Sequence, residues 1–127
     1  MNTPDITLII TNWNGRELLL ECMPSVLKSV AYDKKRSYEI MVVDDCSSDD
    51  SLKILEQEFP TVRAEKTPAN YGFHRANNFG ASLSQSRLIM PMNNDIKLDE
   101  DALYHLAEHF ENDKNTFSVS GKFYAFD

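Results

Sequence analysis

Short apolar runs alternate along the chain with stretches whose apolar residues recur at helical spacing. Residues 5–10, DITLII, are β-branched and nearly all apolar, as in a strand buried on both faces. A polar loop follows over 11–15, where Asn14 is expected to cap the next helix with Glu17 at capping-box spacing. Leu18, Leu19, Cys22, Val26 and Val30 form the apolar face of that helix, which Pro24 is expected to interrupt and kink. Residues 38–43, YEIMVV, make a second strand that ends in Asp44 and Asp45. Beyond the polar loop 46–50, Leu52, Leu55 and Phe59 define a helix that stops at Pro60. Residues 61–65 are a weaker third strand, and 66–72 are a loop. The span 73–84 is helical, with Ala76, Gly80 and Ala81 as small packing positions. Residues 88–92, LIMPM, are a fourth strand that ends in Asn93, Asn94 and Asp95, and Pro91 predicts a bulge in it. Leu98 and Leu103 flank Asp99 as a hydrophobic staple around an N-cap, and Leu103, Leu106, Ala107 and Phe110 are the buried stripe of a last helix. Residues 117–124 read as a fifth strand.

Strict strand–helix alternation predicts an α/β fold, Rossmann-like, with a mostly parallel sheet, helices on both faces and right-handed crossovers. In such sheets ligands bind outside the carboxyl ends of the strands. Three polar clusters fall there: Thr11-Asn12-Trp13, Asp44-Asp45 and Asn94-Asp95. Parallel strands would bring all three to one edge.

Composition narrows what that edge can bind. The 127 residues fit one domain, residues 1–127, and carry a net charge of -7. Nucleic-acid affinity rests on Lys and Arg at phosphates. The only basic cluster, Lys34-Lys35-Arg36, reads as a solvated loop, so DNA and RNA are not expected partners. Cys22 and Cys46 lack metal-ligand spacing and read as free thiols. No secretory signal pattern opens the sequence, and no apolar run approaches the roughly 18–20 residues of a membrane span, so a cytoplasmic location is the expectation. Neither a G-x-G-x-x-G after the first strand nor a G-x-x-x-x-G-K-[ST] is present. An acidic edge without a phosphate-cradling glycine loop suits Mg²⁺ or Mn²⁺, which take oxygen ligands and keep contacts to substrate phosphates.

Four segments carry a resemblance. Residues 8–15, LIITNWNG, resemble the opening strand of family-2 glycosyltransferases of the GT-A fold. Residues 42–49, VVDDCSSD, are similar to that family's V-V-D-D-x-S-x-D segment. Residues 70–78, NYGFHRANN, resemble its N-x-G-F-x-x-A-x-N segment, and Asn93-Asn94-Asp95 resembles the N-N-D form of its D-x-D metal motif. The resemblance implies the N-terminal, donor-binding portion of such an enzyme, transferring a sugar from a nucleotide diphosphate (UDP or dTDP type) to a glycan or lipid-linked acceptor, with inversion and with metal assistance. It implies that Thr11 and Trp13 line the base pocket and that Asp45 accepts the base imide N–H. Asp44 would support the loop, Asn94 would lie beside the sugar or diphosphate, Arg75 and Asn77 would meet phosphate or ribose, and Asp95 would hold the metal.

Other readings stand beside these. Trp13 could stack on a base or pack in the core, since an aromatic body serves both. Arg75 could be an ordinary surface cation, and Asp95 a turn cap. His105 and His109 have the i,i+4 spacing of zinc ligands but lie opposite the apolar stripe, which favours a solvated face. Gly72 is expected to be structural. The family continues past the metal motif, so the catalytic base and acceptor site are expected beyond Asp127. On that expectation the chain alone binds nucleotide but is inactive in transfer. Its exposed C-terminal edge could then self-associate, and the full-length protein would lie at the inner membrane face. A non-catalytic nucleotide-binding or interaction module is an alternative. A signalling receiver domain is disfavoured, because it needs the acidic pair after the first strand.

Overall fold

The computed structural model describes residues 2–125. Its strands are β1 (Ile6–Asn12), β2 (Tyr38–Asp44), β3 (Arg63–Lys66) and β4 (Leu88–Asn93). They alternate with helices α1 (Arg16–Tyr32), α2 (Ser51–Glu58), α3 (Phe73–Leu83) and α4 (Ala102–Asn112). All strand pairs are parallel, in the order β3-β2-β1-β4.

Side-chain alternation divides the core between the two faces of the sheet. Ile6, Leu8 and Ile10 of β1 join Ile40, Val42 and Met92 against Leu19, Met23 and Val26 of α1, Leu55 of α2 and Leu103 of α4. Ile9, Met41 and Val43 face the other way, onto Ala76 of α3. Gly80 of α3 permits that contact, because a Cβ there would lie 2.7 Å from Ile9 Cγ2 and 2.8 Å from Val43 Cγ2. The sheet is therefore covered on both faces, which explains the unbroken apolar runs of β1 and β2.

Several local expectations are corrected. Residues 117–124 form no strand: Phe117 is 97% exposed, and the segment lies along α4 and β4 without a ladder partner. β4 is thus the edge of the described sheet. Pro91 introduces no bulge, since the β1–β4 register is constant from Ile6↔Leu88 to Thr11↔Asn93. Leu88 N–H points to β1, donating to the Asp5 carbonyl at 3.3 Å. Alternation then turns position 91 to the open side, where a missing N–H costs the ladder nothing. Pro24 does not break α1.

Asn14 does not cap α1. The N-cap is Gly15, while Asn14 adopts φ 49° and accepts from the amides of Ser48 (2.7 Å) and Asp49 (3.3 Å). Glu17 pairs with Arg16 instead of closing a capping box. Asp101, not Asp99, is the N-cap of α4. Arg36 is not a solvated loop cation. Its guanidinium is buried between Asp33 at 2.8 Å and Glu108 at 2.7 Å, tying the end of α1 to α4. His105 and His109 do lie on an exposed face, and His105 contacts Asp101.

Candidate active site at the carboxyl edge of the sheet

The chain runs from β1 outward through β2 to β3, then returns to place β4 on the other side of β1. The carboxyl ends of β1 and β4 are therefore the topological switch point, where α/β sheets open a crevice. A cleft of about 710 Å³ lies there. Its lining includes Thr11, Trp13, Asp45, Asn94 and Asp95, so parallel pairing brings together five of the seven residues expected from sequence to contact nucleotide or metal.

Trp13 lines the cleft with 60% of its surface exposed, which removes the core-packing reading. Thr11 is buried at the base of the cleft. Arg75 and Asn77 are not brought into its lining. Arg75 is exposed and stacks over the Tyr71 ring at 4.2 Å, a cation–π contact. Asn77 Oδ1 is buried with no hydrogen-bond partner among the described residues.

The two adjacent aspartates do different work. Asp44, fully buried, accepts from Ser47 N–H at 3.0 Å and Ser47 Oγ at 2.6 Å, and so shapes the loop after β2. Asp45 is also buried but reaches across to the β3–α3 loop. Its Oδ1 accepts from Thr67 Oγ1 (2.8 Å) and Tyr71 N–H (2.7 Å), and its Oδ2 accepts from Gly72 N–H (2.8 Å). A carboxylate offers roughly four acceptor positions, so one remains open. Gly72 sits at φ 82°, and a Cβ there would meet no atom within 4 Å; the conformation rather than space demands glycine.

Nearby, Asp49 closes the start of α1 by accepting from Arg16 N–H at 3.2 Å. Burial pushes its carboxyl up, but the Ser51 hydroxyl and amide and the Arg16 donors outweigh that and hold it below the ordinary value.

Asp95 is exposed in the cleft and has no hydrogen bond or ion pair among the described residues. Nor does any group of three His, Cys, Asp or Glu side chains converge there among the described residues. The protein thus offers one carboxylate beside two carboxamides, Asn93 and Asn94. That donor set fits Mg²⁺ or Mn²⁺, which are held by one or two carboxylates while substrate phosphates and water fill the remaining positions.

Sequence reasoning missed the roles of Asn12, Gly15 and Thr67. Asn12 Oδ1 accepts from Asn94 Nδ2 at 2.9 Å, and Gly15 lies directly over that contact. The available signal was weak: Asn12 ends β1 as Asp44 ends β2, and only the in-register pairing of the strands makes them neighbours.

Comparison with known proteins agrees with this architecture. Over residues 7–127 the chain matches the model of glycosyl transferase family 2. It is 27% identical over 121 residues to the poly-beta-1,6-N-acetyl-D-glucosamine synthase of Staphylococcus aureus (strain COL), covering 91% of this chain and 28% of that protein. The Staphylococcus epidermidis synthase of the same name gives the same identity and coverage. Among solved structures it resembles S. aureus TarS 1–349 in complex with UDP-GlcNAc, with a TM-score of 0.73 at 19% identity over 85% of this chain and 31% of that one. The mannosyltransferase PcManGT from Pyrobaculum calidifontis, in complex with GDP-Man and Mn²⁺, gives 0.71 at 17% identity over 87% and 33%. The chain spans less than a third of the length of the curated relatives it matches. With a four-stranded parallel sheet of the GT-A type and a match along nearly its whole length, this chain belongs to glycosyl transferase family 2.

Proposed function

We propose that the chain binds the nucleotide-diphosphate sugar donor of an inverting, divalent-metal-assisted glycosyltransferase. The observation that carries this reading is the cleft at the β1/β4 switch point, which gathers Thr11, Trp13, Asp45, Asn94 and Asp95. Trp13 offers an exposed ring for stacking on the base. Asp45 keeps one acceptor position for an imide N–H, a group that uracil and thymine both carry, so UDP and dTDP donors suit it equally. Asp95 would hold Mg²⁺ or Mn²⁺ against the diphosphate, with Asn94 beside it. The ion, when bound, supplies positive charge for the leaving diphosphate. The name of the synthase relatives supports polysaccharide synthesis as the setting; a glycan or lipid-linked acceptor is part of the proposal.

Calorimetry tests the reading. Titrating the chain with UDP, dTDP and GDP, with and without Mn²⁺, should show Mn²⁺-dependent binding of a nucleotide bearing an imide. Asp95→Ala should abolish the metal dependence. Absence of any nucleotide binding refutes the donor-site reading. An Asp95→Ala variant that stays equally metal-dependent refutes the metal assignment.

A further inference from the structure

The cleft wall contains a hydrogen-bond relay whose direction is forced. Asp44 begins it, because both of its oxygens accept: Oδ2 from Ser47 N–H at 3.0 Å and Oδ1 from Ser47 Oγ at 2.6 Å. Asn12 Nδ2 donates to Asp44 Oδ1 at 3.0 Å and to Ser47 Oγ at 3.4 Å, so its nitrogen must face inward. Ser47 cannot reverse this, since its own hydroxyl proton is spent on Asp44 Oδ1 at 2.6 Å. The other end of the Asn12 amide is therefore its oxygen, and it meets Asn94 at 2.9 Å. An oxygen there requires the Asn94 nitrogen to face it. What Asn94 leaves for the cleft is its own amide oxygen, beside Asp95.

We infer that Asp44, acting through Asn12, is a positioning residue that fixes the Asn94 amide with its oxygen toward the cleft, where it accepts from a hydroxyl of the bound nucleotide sugar. The inference rests on the donor-binding reading for its ligand, but not for the relay itself. An outward oxygen repels phosphate oxygens, so it selects the sugar side of the donor over the diphosphate. Gly15 is part of the device. A Cβ at that position would lie 2.2 Å from Asn94 Nδ2 and 2.4 Å from Asn12 Oδ1, too close for the pair to survive unmoved. The start of α1 thus roofs the relay, and the tips of β1, β2 and β4 are joined by it.

A polarity swap tests this. Asn94→Asp sets an acceptor-only group against Asn12 Oδ1, which is locked in place. On a plain metal reading, a second carboxylate beside Asp95 should strengthen the site. The relay predicts the reverse: a lower unfolding midpoint and at least a tenfold loss of UDP-GlcNAc affinity in Mn²⁺. Asp44→Asn added to Asn94→Asp lets the whole relay invert. The new carboxamide at position 44 then donates to Asn12 Oδ1, and Asn12 Nδ2 donates to the new carboxylate at position 94. The double variant should recover part of both losses. Side-chain amide NMR of the ligand-free protein gives an independent reading. Both Asn12 amide protons should exchange slowly in the wild type, and Gly15→Ala should speed the exchange of the Asn94 pair. An Asn94→Asp variant that is as stable and binds as well as wild type overturns the relay, as does Asn12 exchanging like a solvated carboxamide. If the wild type binds no nucleotide sugar, the functional reading fails while the midpoints and exchange rates still decide the relay.

Discussion

Replacing Asp45 by Asn changes one atom and leaves the side chain's volume intact, so it isolates the carboxylate's role in holding the β3–α3 loop. In the wild type three donors converge on that carboxylate: Thr67 Oγ1 and Tyr71 N–H on one oxygen, Gly72 N–H on the other. The single oxygen of Asn can serve only one side. Its better orientation keeps Tyr71 and Thr67 and turns an amide N–H₂ against the Gly72 N–H. A hydrogen bond to a charged group contributes about 1.5–3 kcal/mol. Gly72 is exposed, so water takes up part of the loss, while the donor–donor clash adds to it. The net expectation is about 2 kcal/mol, or a midpoint lower by roughly 8 °C for a chain of this size. Thermal and urea unfolding followed by circular dichroism measure the cost, and amide exchange should quicken at Tyr71 and Gly72. A change below about 0.5 kcal/mol, the scale of an ordinary surface substitution, with unaltered exchange at both amides would refute the clamp.

Three further outcomes follow from the geometry. Gly72→Ala should cost about 1–3 kcal/mol from backbone strain alone, because φ is 82° and no atom crowds the site; equal stability in urea would show that the loop adopts another conformation. Burial pushes the Asp33 carboxyl up, but Tyr38, Arg36 and the Lys35 amide outweigh this and hold it below its ordinary value. A depressed carboxyl contributes stability above the unfolded pKa of about 3.9 and loses it as pH falls through the folded value. Urea midpoints should therefore drop below about pH 4, and Arg36→Gln should flatten that acid slope; an unchanged slope would exclude the Asp33–Arg36 pair as its source. Trp13 is the sole tryptophan and is 60% exposed. Trp13→Ala should cost less than about 0.5 kcal/mol, while wild-type fluorescence should be quenched by UDP with Mn²⁺; a large destabilisation would return Trp13 to a packing role.

Local patterns carried most of the elements, because a buried parallel strand and an amphipathic helix each leave a period in the chain. β1, β2 and the helices around them were legible for that reason. The strand expected over 117–124 failed because alternation alone does not supply a partner: a strand needs a neighbouring ladder, and those residues have none. Arg36 was misread for a related reason. Its counter-ions Glu108 and Glu111 lie more than seventy positions away and become neighbours only when α4 packs against α1.

The same division runs through the site. The order of strands and helices, the chemical types at each strand end and the family motifs are properties of the linear chain, and they placed Thr11, Trp13, Asp45, Asn94 and Asp95 at one edge. Which atom each presents is a property of the folded sheet. Strand order put β4 beside β1, register set Asn12 opposite Asp44, and Gly15 let Asn94 close onto Asn12. Hydrogen-bond direction then passes from a buried carboxylate through two amides to the cleft. No spacing rule encodes that, because it depends on donors and acceptors brought within about 3 Å from the ends of β1 and β2 and the turn after β4.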